Sequence, residues 1–186
     1  MNRSAPPRRV SVVGNSGSGK STVARALAER LGVAHVELDA IRHQGGWEEM
    51  PDARFLEQVE RVTRGDGWVV DGNYHEVVGY GPVWQRADTV VWIDLPRRTV
   101  MWQLTRRTLW RVLSRQELWN GNREPFSNLW SLDPERSILG WAWTRHEMYR
   151  ERYSSAASSP EWSHLHFVRL TTHAEAQAWI ASIPTG

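Results

Sequence analysis

One run of glycines and hydroxyls around a single lysine carries the clearest chemistry in the sequence: Gly14-Asn15-Ser16-Gly17-Ser18-Gly19-Lys20-Ser21-Thr22. It satisfies G-x-x-x-x-G-K-[ST] without a mismatch. Glycines admit positive φ, which turns successive main-chain N–H groups inward around an anion. A helix starting at the end of such a loop adds partial positive charge. In this pattern the lysine reaches the β- and γ-phosphates of a nucleoside triphosphate, and the first hydroxyl, Ser21, sits on Mg²⁺. Residues Gly14 to Thr22 are therefore the expected phosphate-binding set, with ATP and Mg²⁺ as cofactors. Lys20 is the only lysine in 186 residues, so its place in the loop is not filler.

Three further groups have chemistry to offer. Asp71 ends the apolar run Trp68-Val69-Val70 and precedes Gly72, where an acid can hold the Mg²⁺ shell. Asp94 is the rival acid, but Leu95-Pro96 behind it reads as a simple strand exit. Asp39 and Arg42 follow a second apolar run. An acid there can take the proton of an acceptor hydroxyl, and Arg42 faces the same way if a helical turn begins at Asp39. The third group is arginine. Arg97, Arg98, Arg106, Arg107, Arg111 and Arg115 lie between Pro96 and Gln116 with no acid among them. Such a helix repels itself unless an anion is near, and a triphosphate is the economical one. Arg106 and Arg107 are the candidates for that contact, with Arg145 as a further one. The histidines, among them His35, His75, His146, His164, His166 and His173, have no ligand spacing and read as structural.

The elements that position these groups follow from periodicity. Residues 9–13 form a β-branched strand, and Val23, Ala26, Leu27 and Leu31 mark a helix face ending at Gly32. Residues 34–38, 68–70, 89–93 and 164–170 read as four more strands. Pro51-Asp52 opens a helix with Phe55, Val59 and Val62 on one face. A helix over about 97–113 shows Met101, Leu104, Thr108 and Val112 at helical spacing. Another starts at Pro134, a polar connector spans 154–160, and Thr172 with Glu175 caps the last helix. Five strands alternating with helices predict a parallel α/β sheet covered on both faces. The loop, Asp39, Asp71 and Asp94 all fall at strand carboxyl ends, where such sheets bind ligands.

Composition sets the limits. Hydrophobic residues make up 40% and charged residues 24%, an ordinary globular balance for one domain spanning 1–186. The absence of cysteine excludes disulfides and thiolate metal sites, and is compatible with a cytoplasmic protein. No apolar run reaches the ~18 residues of a membrane span. The N-terminal residues lack an apolar signal core and read as a frayed tail. A net charge of +2 argues against general nucleic-acid binding, and the expected partner is a small phosphoryl acceptor. Twelve tryptophans are expected mainly in the core.

The order of phosphate loop, Asp39-Ala40-Ile41-Arg42, Asp71-Gly72, apolar strand and arginine-rich segment resembles the nucleoside monophosphate kinase group, of which adenylate kinases are the best-known members. The resemblance implies a three-layer P-loop fold with a five-stranded parallel sheet in the order 2-3-1-4-5 and a helical lid. It implies an acceptor site containing Asp39 and Arg42 within about 39–66, a magnesium side at Asp71-Gly72, and phosphate contacts from Arg106 and Arg107. Adenylate kinases read Asp-Gly-Phe-Pro-Arg where this chain reads Asp71-Gly72-Asn73-Tyr74-His75, so the arginine for an acceptor phosphate is missing. The ending Gly19-Lys20-Ser21-Thr22 is closer to shikimate, gluconate and uridine kinases. The stretches Val69 to Tyr74 and Glu117 to Glu124 resemble a bacterial branch of adenylate-kinase-like ATPases, some labelled DNA topology modulation proteins, although the sequence carries no helix-turn-helix. The expected activity is ATP-dependent phosphotransfer to a small acceptor, a nucleoside monophosphate or a hydroxyl-bearing metabolite. Asp39, Arg42, Asn73, Tyr74, Arg145 and the lid residues Asn122 and Arg123, within a lid of about 114–134, would line its site. The alternative is a nucleotide-dependent ATPase or switch acting on a partner.

Overall fold

The computed structural model describes residues 6–185 other than 76, 80, 115–118 and 123–137. Five strands form one sheet: β1 (Arg9–Gly14), β2 (Ala34–Glu37), β3 (Trp68–Asp71), β4 (Thr89–Ile93) and β5 (His166–Leu170). Their order is β2-β3-β1-β4-β5 and every pairing is parallel. The helices are α1 (Lys20–Leu31), α2 (Leu38–Arg42), α3 (Asp52–Val62), α4 (Pro82–Arg86), α5 (Arg97–Ser114), α6 (Ile138–Ala157) and α7 (His173–Ser182). The predicted strand order is thus present. No helix among the described residues is long and apolar enough to cross a membrane.

The central strands β1, β3 and β4 are buried on both faces, and strand alternation divides their side chains between two cores. Val10, Val12, Val69, Val91 and Ile93 pack with Val23, Leu27 and Leu31 of α1. Val13, Val70, Val90 and Trp92 pack on the other face with Phe55, Trp84 and Tyr153. Trp84 and Trp68 are almost wholly buried, and each indole N–H has a partner: Nε1 of Trp84 donates to Ser11 Oγ (3.1 Å) and Nε1 of Trp68 to the Thr63 carbonyl (3.1 Å). That satisfies the one polar atom each ring brings into the core.

Two helices depart from the sequence reading. In α5 the expected positions Leu104 and Thr108 are fully buried, and Val100 takes the place expected for Met101, which is half-buried. Trp102 (62% exposed) and Trp110 (66%) point to solvent, against the expectation that tryptophans go inward. Arginine and tryptophan fill both sides of this helix, so periodicity gives little phase information. Helix α6 continues to Ala157, through half of the polar connector expected at 154–160. Tyr149, Tyr153 and Ala156 all meet the sheet core, and this packing outweighs the modest helix propensity of the serines. The expected helix start at Pro134 lies outside the described residues.

Candidate active site

β1 ends at Gly14, and the chain then turns through positive φ at Gly14 (146°), Gly17 (81°) and Gly19 (90°) before α1 begins. Close neighbours enforce two of these glycines. A Cβ on Gly14 would lie 2.5 Å from the Ile93 carbonyl oxygen, and one on Gly17 would lie 2.8 Å from Leu104 Cβ. The loop is therefore wedged between β4 and α5. Gly17→Val is expected to abolish nucleotide binding and to lower the melting temperature, read by calorimetry and thermal denaturation. It adds both a clash and a strained φ, on the order of 1–3 kcal/mol each.

Helix α1 has Gly19 at its N-cap and no side-chain cap, so its first N–H groups are open to an anion. Lys20 Nζ donates to the Asn15 carbonyl at 3.1 Å. Desolvation lowers the pKa of this ammonium and nearby Arg107 lowers it further, while Asp39 and Asp71 oppose the shift. One lysine thus feels the second arginine of the pair on α5 and both candidate acids. This electrostatic neighbourhood joins four of the residues singled out in the sequence.

The two α5 arginines part company. Arg107 is half-buried on the Leu104 and Thr108 side. Arg106 is exposed, with its guanidinium carbon 5.4 Å from the centre of the Trp102 ring. Arg145, on α6, is half-buried and donates to Met148 Sδ at 3.3 Å. It lies one turn beyond Ala142, whose carbonyl accepts from Asn15 Nδ2 at 2.8 Å. That bond ties the phosphate loop to α6, and Asn15 Oδ1 accepts from the Ser16 N–H at 2.8 Å.

Asp71 is buried at the end of β3, with Oδ2 3.1 Å from His35 Nε2. Ser21 is half-buried in the first turn of α1. A hydroxyl and a carboxylate are hard oxygen donors that suit Mg²⁺ shared with phosphate and water. Among the described residues no group of three or more His, Asp or Glu converges to hold a metal ion. Asp94 is otherwise engaged: it is buried, pairs with Arg169 at 2.5 Å, and lies 3.3 Å from Arg150 Nε.

Asp39 occupies the first turn of α2 and accepts a 2.8 Å hydrogen bond from the Tyr74 hydroxyl. Burial, then the Asp39 charge and this bond, push the Tyr74 pKa far upward, so the phenol stays a donor. The helical turn expected around Asp39 and Arg42 forms, but Arg42 is fully engaged. It contacts Asp52 at 2.6 Å, Glu49 at 2.8 Å and the Met50 carbonyl at 2.9 Å, with its guanidinium carbon 5.3 Å from the Phe55 ring centre.

Asn73 bonds the phosphate loop itself. Its Oδ1 accepts from the Gly14 N–H (3.2 Å) and its Nδ2 donates to the Gly14 carbonyl (2.6 Å). Tyr153 Oη also donates to Asn73 Oδ1, at 2.9 Å. Asn122 is buried and likewise committed to main chain: Nδ2 donates to the Gln44 carbonyl (2.7 Å) and Oδ1 accepts from the Trp47 N–H (2.9 Å). It fastens the 119–122 turn onto the segment after α2. Arg123 and most of the expected lid lie outside the described residues.

Two histidines reach the site without a signal in the sequence. His35, expected to be structural, contacts the candidate metal acid, because β2 and β3 pair in register with His35 beside Val69 and Glu37 beside Asp71. His173 lies beside the loop: a Cβ on Gly19 would be 3.7 Å from its Cε1, and its ring contacts Gln103. No sequence spacing signals either contact, since both depend on which strands become neighbours.

Three solved structures share this fold. The gluconokinase from Sinorhizobium meliloti 1021 is 20% identical, with a TM-score of 0.51 over 94% of this chain and 92% of its own. Shikimate kinase from Bacteroides thetaiotaomicron is 13% identical, with a TM-score of 0.52 over 94% and 95%. Shikimate kinase from Acinetobacter baumannii, in complex with shikimate, is 18% identical, with a TM-score of 0.52 over 94% and 89%. The fold is that of the P-loop kinases. A family model described as an AAA domain matches residues 10–71, from β1 through the loop to Asp71. Comparison with curated proteins gives no match. At these identities the likeness carries the P-loop kinase fold and leaves the acceptor to the chain's own residues.

Proposed function

We propose that the protein is a Mg²⁺- and ATP-dependent phosphotransferase that moves the γ-phosphoryl group to a hydroxyl on a small acceptor. The observation that carries this reading is the state of the acids and bases at the acceptor end. Asp39 keeps a carboxylate oriented by Tyr74 and within the electrostatic reach of Lys20, while Arg42 is consumed by Glu49 and Asp52. With no arginine at position 75 either, a hydroxyl suits the site better than an acceptor phosphate. The gluconokinase and shikimate kinases of the same fold support the same class of acceptor. A cytoplasmic setting belongs to the same proposal.

In the reaction, the acceptor oxygen forms a bond to the γ-phosphorus as the bond from that phosphorus to the β–γ bridging oxygen breaks. The hydroxyl proton passes to Asp39, and ADP carries away the leaving oxygen. Lys20 and Arg107 stabilise charge on the transferring group. Mg²⁺, held at Ser21 and Asp71, would neutralise phosphate charge when bound.

The test is ADP formation from ATP and Mg²⁺ across a panel of sugars, sugar acids, hydroxy acids and nucleoside monophosphates. Turnover that depends on a hydroxy compound is expected; turnover only with monophosphates would overturn the hydroxyl assignment. Asp39→Asn is expected to lower kcat by about 10²–10⁴-fold without weakening ATP binding. Tyr74→Phe is expected to have a smaller effect, because it frees the carboxylate without removing it.

A partner-directed ATPase or switch is the second reading. The exposed indoles of Trp102, Trp110 and Trp143, on α5 and α6, favour it. ATP hydrolysis independent of every small acceptor would support it.

A further inference from the structure

His35 has no step in the phosphotransfer reading, yet among the described residues it alone hydrogen-bonds the Asp71 carboxylate. A carboxylate only accepts, so Nε2 of the imidazole carries the proton of their 3.1 Å bond. That bond takes Oδ2. The second oxygen, Oδ1, has no hydrogen-bond partner among the described residues. Only 4% of the Asp71 side chain and 16% of the His35 side chain are exposed, so little water competes for the bond.

The topology sets the direction of this contact. In the β2–β3 register His35 stands beside Val69, and Glu37 stands beside Asp71. Residues two apart on a strand share a face, so His35, Glu37, Val69 and Asp71 project to one side of the sheet. Val69 packs with Val23 and Leu27, so that side is the one α1 covers. Arg25 of α1 reaches Glu37 there at 3.7 Å, and Glu37 lies 3.9 Å from His35 Nδ1. Ser21 precedes Arg25 by four residues and shares its helix face. The two candidate metal residues, Ser21 and Asp71, therefore lie on the same side of the sheet. His35, level with Val69, approaches Asp71 from within the sheet and leaves the carboxyl end of β3 open.

Mg²⁺ demands near-octahedral geometry, so an acid that serves its shell must present one oxygen in a fixed direction. Free rotation about the Cβ–Cγ bond would exchange the two oxygens of Asp71. A hydrogen bond to one of them stops that exchange. Outer-shell bonds of this kind typically contribute about 10–100-fold in metal affinity or activity.

We propose that His35 is the positioning residue of the metal site: its Nε2 hydrogen bond fixes Asp71 so that Oδ1 serves the Mg²⁺ shell. This role rests on the Mg²⁺-nucleotide reading above, and binding alone reads it out. His35→Phe keeps a ring and removes the donor. His35→Gln places an amide N–H close to where Nε2 stands, and His35→Asn carries the same amide on too short an arm. The protein and each variant are titrated by calorimetry with the β,γ-imido analogue of ATP, once in excess Mg²⁺ and once in EDTA. In His35→Phe and His35→Asn the Kd in Mg²⁺ should rise about tenfold or more, while the Kd in EDTA stays within about twofold. His35→Gln should stay within about threefold of the wild type in both conditions. His35→Asn carries the comparison if His35→Phe does not fold. A histidine with a purely structural role would move both Kd values together or neither. Three results would overturn the role of His35: an unchanged Kd in Mg²⁺, an equal rise in Mg²⁺ and EDTA, or no recovery in His35→Gln. A wild type whose analogue binding Mg²⁺ does not tighten would overturn the metal site and the role of His35 with it. The expected Kd pattern without phosphoryl transfer to any acceptor would count against the phosphotransfer reading alone.

Discussion

Lys20→Met is expected to lower phosphoryl transfer by about 10³-fold or more and, at the same time, to raise the melting temperature of the nucleotide-free protein. The two effects have one origin. The ammonium sits against the phosphate loop, desolvated and near Arg107, with only partial relief from Asp39 and Asp71. That arrangement favours an incoming γ-phosphate and disfavours the empty protein. A methionine keeps most of the side-chain volume and removes the charge.

The pH dependence fixes the sign. The folded-state pKa of Lys20 is lowered below its ordinary value of 10.5, so the unfolded chain binds more protons than the folded one. Stability of the nucleotide-free wild type therefore carries a penalty below the folded pKa. The penalty is relieved as pH rises through that pKa towards 10.5. The stability advantage of Lys20→Met should be fully present below the folded pKa and should shrink as pH rises from that pKa towards 10.5. Denaturant melts of both proteins across the interval check this. An advantage independent of pH would assign the effect to packing, and retained turnover in the variant would remove Lys20 from the reaction.

Much of the fold is written locally. A strand of valines, a glycine loop and an amphipathic helix each declare themselves within a dozen residues, and the crossover rules for parallel strands then limit the topology. The phosphate loop is equally local, because the chemistry of one anion dictates the type of nearly every residue. The acceptor side is different. Asn73 and Gly14 are 59 positions apart, and Asn122 meets Gln44 and Trp47 across more than 70. An asparagine beside a turn looks the same in sequence whether it faces a substrate or a main-chain carbonyl. Arg42 shows the same ambiguity: its two carboxylates, Glu49 and Asp52, come from the next loop and helix. Arg106 and Arg107 differ by a single helical step, about 100°, which composition leaves undetermined in a helix whose apolar residues occupy both sides. His35 reaches Asp71 only because β2 lies beside β3.

Asn73→Leu distinguishes a residue that holds the loop from one that holds an acceptor. The leucine nearly matches the carboxamide in volume but leaves three groups without their partner: the N–H and carbonyl of Gly14 and the Tyr153 hydroxyl. Each unsatisfied group costs about 1–3 kcal/mol when water cannot replace the bond. Some of the sites are half-open, so a total loss of about 2–4 kcal/mol is expected in denaturant unfolding. The kinetic consequence falls on ATP. Gly14 starts the loop that grips the phosphates, and a loosened loop pays ordering entropy when nucleotide binds. The ATP Kd should rise by about 10–100-fold, equivalent to about 1.4–2.8 kcal/mol, while the acceptor KM at saturating ATP stays within about twofold. Asn73→Asp refines the result. Its carboxylate retains acceptance from the Gly14 N–H and from Tyr153, but faces the Gly14 carbonyl with an anion where the amide offered a donor. It should therefore weaken ATP binding while sparing the acceptor KM. An acceptor KM that rises with ATP affinity unchanged would return Asn73 to the acceptor site and leave the two Gly14 hydrogen bonds without energetic weight.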